Sequence, residues 1–342
     1  MGRDMPIRAL AALLALTGTA ALTTALASAP AAAATEPPNN PGRPVSGDLR
    51  VHDPGLVRGE AGEPWYVFGT GDGAHRDGTI QIRSSSDGHE WRLAGTVWDR
   101  KPDWITREIP GVDNLWAPEV HEENGTYYLY YSASTFGSNR SLVALATNTT
   151  LDPEDPDYRW VDRGKVFESF PGDPYNAIDP GIVVGADGRH WMTFGSFWSG
   201  IRMVELDWPS GKAKPGAPVL HLADRQQPPN AIEAPHIMAR GGWYYLFVSL
   251  DSCCRGADST YKIAVGRSRD VTGPYRDRRG QPLLRGGGTV IASRSGSIVG
   301  AGGQSASGGL LAYHYYDTAL GGDFRLALHP ISWTWDGWPR LD

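Results

Sequence analysis

The stretch Pro174-Tyr175-Asn176-Ala177-Ile178-Asp179-Pro180-Gly181 opens a phrase that the rest of the chain repeats. An apolar run (Ile182-Val183-Val184) follows, then a polar turn (Ala186-Asp187-Gly188-Arg189), then an aromatic strand, Trp191-Met192-Thr193-Phe194-Gly195-Ser196. The phrase recurs as Asp53-Pro54-Gly55-Leu56-Val57 before Trp65-Tyr66-Val67-Phe68-Gly69, and as Ala117-Pro118-Glu119-Val120 before Tyr127-Tyr128-Leu129-Tyr130-Tyr131-Ser132. It returns as Glu233-Ala234-Pro235-His236-Ile237 before Trp243-Tyr244-Tyr245-Leu246-Phe247-Val248-Ser249. A weaker fifth copy, Gly300-Ala301-Gly302-Gly303, precedes Leu310-Leu311-Ala312-Tyr313-His314-Tyr315-Tyr316. Aligning Asp53, Ala117, Asp179, Ala234 and Ala301 gives steps of 64, 62, 55 and 67 residues. Short strands and turns repeated at such a period mark one propeller blade each, so an all-β, five-bladed β-propeller is expected.

The flanking sequence agrees. Strands are short and aromatic, bounded by Asp87-Gly88, Asn124-Gly125, Asp187-Gly188 and Gly241-Gly242, and helical periodicity is scarce. No linker divides the roughly 300 residues from 48 to 342, which read as one catalytic domain. Before it, Arg3 and Arg8, an alanine-rich apolar run from Ala9 to Ala27 and Ala31-Ala32-Ala33-Ala34 read as a signal peptide over residues 1–34. The Pro- and Asn-rich residues 35–47 read as a disordered leader or one laid along the surface. Cleavage would take the formal charge from −6 to −7, and no basic cluster points to nucleic acid. Export to the extracellular space is expected, with no membrane anchor. Adjacent Cys253-Cys254 exclude a long-range disulfide framework; they can form a vicinal disulfide or stay as thiols, in either case in a structural role.

In a propeller the first strand of each blade lines the axis, so the repeated phrase should converge at one mouth. Three copies bring carboxylates there: Asp53, Asp179 and Glu233. A single Asp before Pro is equally well a turn residue. Three acids at matched positions crowd negative charge, which costs stability unless it is used. Asn176-Ala177-Ile178-Asp179 and Asn230-Ala231-Ile232-Glu233 are near-copies, yet Glu233 stands one residue earlier relative to its proline, so its role should differ from that of the two Asp residues. Carboxyls that perturb one another's pKa, with aromatics beside them, describe a site that cleaves glycosidic bonds. Trp116, Phe136, Phe197 and Trp198 are the expected sugar-stacking residues at the mouth.

Val51-His52-Asp53-Pro54, Asn114-Leu115-Trp116-Ala117-Pro118-Glu119, Ser134-Thr135-Phe136-Gly137-Ser138-Asn139, Tyr175 to Pro180, Gly195 to Gly200, Ile232-Glu233-Ala234-Pro235 and Cys253-Cys254-Arg255-Gly256 resemble the motifs of family 43 glycoside hydrolases, more narrowly its endo-1,5-α-L-arabinanases. The resemblance runs from about residue 48 to the C-terminus. It implies inverting hydrolysis of α-1,5-linked arabinan or arabino-oligosaccharides, with Asp53 as general base, Glu233 as general acid and Asp179 orienting the acid and tuning its pKa. By the same motifs Gly137, Asn176, Ala177, Ile178 and Ser196 join the four aromatics as expected substrate contacts. A monomer is expected. Relatives of this kind carry Gly-Pro-Gly-His-Asn in blade five, where the His contacts an axial ion, usually taken as calcium. Here the stretch reads Gly300-Ala301-Gly302-Gly303-Gln304, so no cofactor is expected to be required and calcium binding is expected to be weak or absent. His314 reads as a satisfied strand histidine.

Three other readings share some of these features. A β-xylosidase or α-L-arabinofuranosidase of the same family would keep the three acids. A retaining fructan-processing propeller would use the first Asp as nucleophile, but its Asn-Asp-Pro-Asn-Gly opening is absent. A non-catalytic sugar-binding propeller has no reason to keep both Asp53 and Glu233.

Overall fold

The structure, a computed structural model, describes residues 42–60 and 62–341. The expected signal peptide and the leader up to residue 41 lie outside the described residues. Five antiparallel sheets follow one another along the chain, each built from sequential neighbours. Blade one contains Gly55–Val57, Trp65–Gly69, Gln81–Ser85 and Glu90–Thr96; blade two contains Leu115–Glu123, Thr126–Ala133, Ser141–Asn148 and Val161–Ser169. Blade three has Gly181–Val184, His190–Phe194 and Ile201–Asp207, whose outer edge pairs with both Lys212–Ala213 and Leu220–Ala223. Blade four is Ile232–Arg240, Trp243–Leu250, Lys262–Ser268 and Thr289–Ala292; blade five is Ile298–Ser307, Leu310–Asp317, Asp323–Trp333 and Pro339–Leu341. The chain is a five-bladed β-propeller, as its repeat predicts. One six-residue helix, Asp103–Glu108, interrupts the β pattern between blades one and two.

Two-residue hairpins hold the first two strands of blades two, four and five in register. Asn124 and Gly125 both take positive φ (53° and 73°), as do Gly241 and Gly242 (58° and 71°), the geometry whose twist matches paired strands. The aromatic second strands are buried because each is covered by neighbouring blades on both faces. Five apolar clusters result, one at each junction between blades. Phe68 and Ile82 meet Leu129 and Tyr131; Tyr130 and Leu145 meet Met192 and Phe194; Ile201 and Met203 meet Leu246 and Val248. Phe247 and Val265 meet Leu311 and Ala327, and Leu310 and Leu326 meet Val67 and Trp91 to close the circle.

Two sequence readings need correction. Residues 42–47 are not disordered: the Arg43 N–H donates to Leu328 O at 2.7 Å, and Ser46–Gly47 pair in parallel with Glu90 and Trp91. This segment straps blade five to the outer edge of blade one, so its backbone bonds are satisfied by the sheets it crosses. The fifth repeat is also out of register. A bulge follows Trp116 in blade two, Glu233 in blade four and Gly302 in blade five, so Gly303, not Ala301, matches Ala117 and Ala234. The final step of the repeat is therefore 69 residues.

Candidate active site

On each inner strand, or just before it, one residue at the mouth has left-handed backbone geometry: Asp53 (φ 49°), Ala117 (45°), Asp179 (59°), Ala234 (52°) and Gly303 (60°). Four of the five carry a Cβ, for which this region is strained, and such strain gathers at functional sites. All five line a single cavity on the axis, together with Glu119, His236, Gln304 and Ser305. Each bulge N–H must find an acceptor, and the preceding blade supplies it. The Ala117 N–H donates to Thr70 Oγ1, that of Asp179 to Ser132 Oγ and that of Gly303 to Ser249 Oγ, each at 3.0 Å. The Asp53 N–H donates to His314 Nδ1 at 3.1 Å. Blade three has Gly195 at the matching place, and there the Asp179 carboxylate takes over, its Oδ2 accepting from the Ala234 N–H at 3.1 Å.

The three acids are thus brought to one mouth but held differently. Asp53 Oδ2 accepts from Thr70 Oγ1 at 2.7 Å and faces His52 Nδ1 at 2.8 Å. Tyr316 Oη, which accepts the Cys254 N–H, lies 2.8 Å from His52 Nε2. The phenol proton is therefore free to go to Nε2, leaving Nδ1–H to donate to Asp53. Burial alone would raise the Asp53 pKa; the imidazoles of His52 and His314 and the hydrogen bonds from His52 and Thr70 outweigh it and hold the carboxyl well below the usual range. Glu233 is buried, with Ser196 Oγ donating to Oε2 and Tyr261 Oη to Oε1. Burial, with the Asp53 charge adding, pushes Glu233 up against the pull of those two hydroxyls. Asp179 is pushed up as well, by burial and then by the charges of Glu233 and Asp53. The arrangement sets a carboxylate held low beside a carboxyl pushed up, the opposed pair that general acid and base work needs.

The expected substrate contacts divide. Phe136 is 87% exposed, with Gly137 open beside it, and Trp198 is 38% exposed; Phe197 and Trp116 are half-buried. Phe197 and Trp198 are held in a loop with positive φ by Phe197 N–H to Ile232 O and by Asn230 Nδ2 to Trp198 O. Three expectations are corrected. Ala177 is wholly buried among Phe194, Tyr130 and Val143, and Ile178 is buried with its carbonyl taking the Gly195 N–H. Ser196 spends its hydroxyl on Glu233. Asn176 is also buried, but its Oδ1 has no partner. Sequence reasoning passed over His52, Thr70, Tyr261 and Tyr316. The aromatic strands end in a hydroxyl in Gly69-Thr70, Tyr131-Ser132 and Val248-Ser249, which was the available signal.

The expected axial ion can be tested against blade five. A Cβ on Gly303 would lie 2.4 Å from Asp53 Oδ1 and 2.8 Å from His314 Nδ1, so the His314 ring, from the neighbouring strand, fills that volume. His314 Nδ1 is taken by the Asp53 N–H. Gln304 is occupied at both ends, its Oε1 by Ser249 Oγ and its Nε2 by Ala234 O. On blade five, then, Gly303 has no side chain and Gln304 no free end, while His314 keeps its Nε2 without a hydrogen-bond partner. Cys253 and Cys254 are joined as a vicinal disulfide, and the Cys254 N–H holds Tyr316.

Residues 41–339 match the sequence profile described as Glycosyl hydrolases family 43. An extracellular exo-α-(1→5)-L-arabinofuranosidase, ArbA, of Cellvibrio japonicus is 41% identical over 85% of this chain and 86% of its own. An extracellular endo-α-(1→5)-L-arabinanase of Bacillus subtilis is 39% identical over 84% and 87%. The GH43 endo-arabinanase structure from Bacillus licheniformis superposes with a TM-score of 0.81 at 39% identity, covering 87% of this chain and 99% of that one.

Proposed function

Because the chain belongs to glycosyl hydrolase family 43, we propose that it cleaves internal α-1,5 bonds of L-arabinan, with inversion, as an extracellular enzyme. The observation that carries this reading is the opposed surroundings of Asp53 and Glu233 at one mouth: imidazole and hydroxyl partners favour the ionised form of the first, while burial and the neighbouring charge favour the protonated form of the second. Glu233 then donates its proton to the departing glycosidic oxygen while Asp53 draws a proton from the attacking water. Asp179 holds the Ala234 N–H next to Glu233 and so fixes the strand that carries the acid. Phe136 and Trp198, exposed at the mouth, present faces on which furanose rings can stack. We read the channel as holding calcium weakly or not at all, since Gly303 has no side chain and Gln304 is occupied at both ends, and the remaining nitrogen of His314 is a poor ligand for calcium. Relatives named extracellular support export, and among the described residues no helix is long and apolar enough to cross a membrane.

Digestion of linear arabinan tests the reading. A falling distribution of oligosaccharides, with the β-anomer appearing first by proton NMR, is expected. A single small product from the outset would make the action exo, and an initial α-anomer would overturn inversion.

A further inference from the structure

Away from the mouth, three metal-ligating side chains converge where blade two meets blade three. His121 and Glu123 lie near the far end of Leu115–Glu123, four and six residues past Ala117, which at ~3.3 Å per residue is about 13 and 20 Å down the strand. Their i, i+2 spacing points both to one face of the strand. His190 arrives from the next blade, at the start of His190–Phe194. Both imidazoles aim Nε2 at the same oxygen, Glu123 Oε2: His190 at 2.6 Å and His121 at 3.4 Å.

We propose that His121, Glu123 and His190 form a binding site for a divalent transition-metal ion of the zinc type, bridging blades two and three. One donor atom from each residue lies within 4.8 Å of the other two. A tetrahedral ion with bonds of about 2.0–2.2 Å needs donors roughly 3.3 Å apart, a change that small side-chain rotations supply. Two imidazoles and a carboxylate suit zinc or its neighbours rather than calcium or magnesium, which prefer oxygen alone. A simple ion pair would need one histidine. Here two are fixed by the same indole: His190 stacks on Trp208 at 3.9 Å and 4°, and His121 meets its edge at 5.5 Å and 82°. Trp208 in turn packs on Tyr128 of blade two, so both imidazoles are constrained before any ion arrives. His121 and Glu123 remain partly open to solvent, which leaves a path for the ion and a position for water.

Untagged protein stripped with EDTA and dialysed is titrated with zinc chloride by calorimetry, and with cobalt chloride for its visible spectrum. One equivalent of zinc, a tetrahedral cobalt band and a melting temperature raised by about 5 °C at saturation are expected. His121→Ala, His190→Ala and Glu123→Gln should each weaken zinc at least tenfold, and their metal-free melting temperatures identify any variant that has merely unfolded. Failure of the folded wild-type protein to bind zinc would overturn the proposal. So would zinc binding that survives in folded His121→Ala and Glu123→Gln but is lost in His52→Ala, because the ion would then sit at the catalytic mouth.

Discussion

His314 Nδ1 accepts the backbone N–H of Asp53 at 3.1 Å, and this bond closes a circle of inter-blade contacts made elsewhere by three hydroxyls and the Asp179 carboxylate. Thr70, Ser132 and Ser249 serve the same purpose for Ala117, Asp179 and Gly303. The last blade thus anchors the residue assigned as base, with an imidazole that also stacks on His52 at 3.6 Å. Removing it leaves a buried donor unpaired, which costs about 1–3 kcal/mol. His314→Ala should lower the melting temperature by about 3–10 °C and reduce kcat. His314→Ser, which restores the hydroxyl used by the other blades, should recover part of both. Scanning calorimetry with steady-state kinetics checks this; wild-type values for His314→Ala would remove the anchoring role.

Asp53→Asn and Glu233→Gln should each lower kcat by about 10²–10⁴-fold with the fold intact, and Asp179→Asn should do so to a lesser degree. Stability should move the other way for the two groups that are pushed up. A carboxyl whose native pKa is raised stabilises the fold below its unfolded value, and that contribution is lost as pH rises through the native one. Asp179 and Glu233 are raised, so Asp179→Asn should melt higher than wild type at pH 8, and the gap should narrow towards pH 4. Asp53 is lowered, and its contribution has the opposite sign, disappearing only in strong acid. A gap that does not vary with pH would count against crowded charge at the axis.

The blade count and the three acids were legible because both repeat. Asp-Pro and Ala-Pro phrases mark the inner strands, and the offset of Glu233 from its proline correctly separates it from Asp53 and Asp179, which share left-handed backbone geometry with Ala234 rather than with Glu233. Blade five was misaligned by two residues because its bulge is written in glycines, which carry no pattern. Ala177 was misread for a related reason. It sits two residues before Asp179 in the wall of the mouth, outside any strand, and only the packing shows that it is buried in the core between blades two and three. Tyr261 was invisible because it lies outside the repeat. Its ring fits beside Glu233 only because Gly302 has no Cβ, which would stand 2.1 Å from Tyr261 Cδ2.

Gly303→His inserts the residue expected for an ion-binding blade five. Its Cβ would meet Asp53 Oδ1 at 2.4 Å and the His314 ring at 2.8 Å, in backbone with φ 60°. The single variant should therefore lose stability and activity without gaining calcium affinity. Gly303→His combined with His314→Ser clears the ring and should regain part of the loss. EDTA should leave wild-type activity and melting temperature unchanged; calcium bound stoichiometrically after dialysis, with activity dependent on it, would refute the reading of the channel.

Trp198→Ala removes an aromatic face at the mouth that is 38% exposed and lies in a loop held by backbone hydrogen bonds that the substitution keeps. Stacking of this kind is worth about 0.5–1.5 kcal/mol, so KM for long arabinan should rise about 3- to 10-fold with little change in melting temperature. A large fall in melting temperature with constant KM would make the indole a packing residue instead.

Tyr261→Phe separates proton tuning from architecture. The Tyr261 hydroxyl donates to Glu233 Oε1 and stabilises the ionised form, as Ser196 does at Oε2. Both bonds therefore pull the Glu233 pKa down against burial, which pushes it up. Loss of either hydroxyl should let the acid hold its proton to higher pH. Activity carried by a protonated acid is lost as pH rises through that acid's pKa, so the alkaline limb of kcat/KM should move up in Tyr261→Phe and in Ser196→Ala. The acid limb, set by Asp53, should stay in place because neither hydroxyl touches it. A structural role alone would lower kcat or stability across the whole range and leave both limbs where they are. A downward move of the alkaline limb would mean that the hydroxyls favour the protonated form, and Glu233 could not then be the group they tune in the sense argued from the geometry.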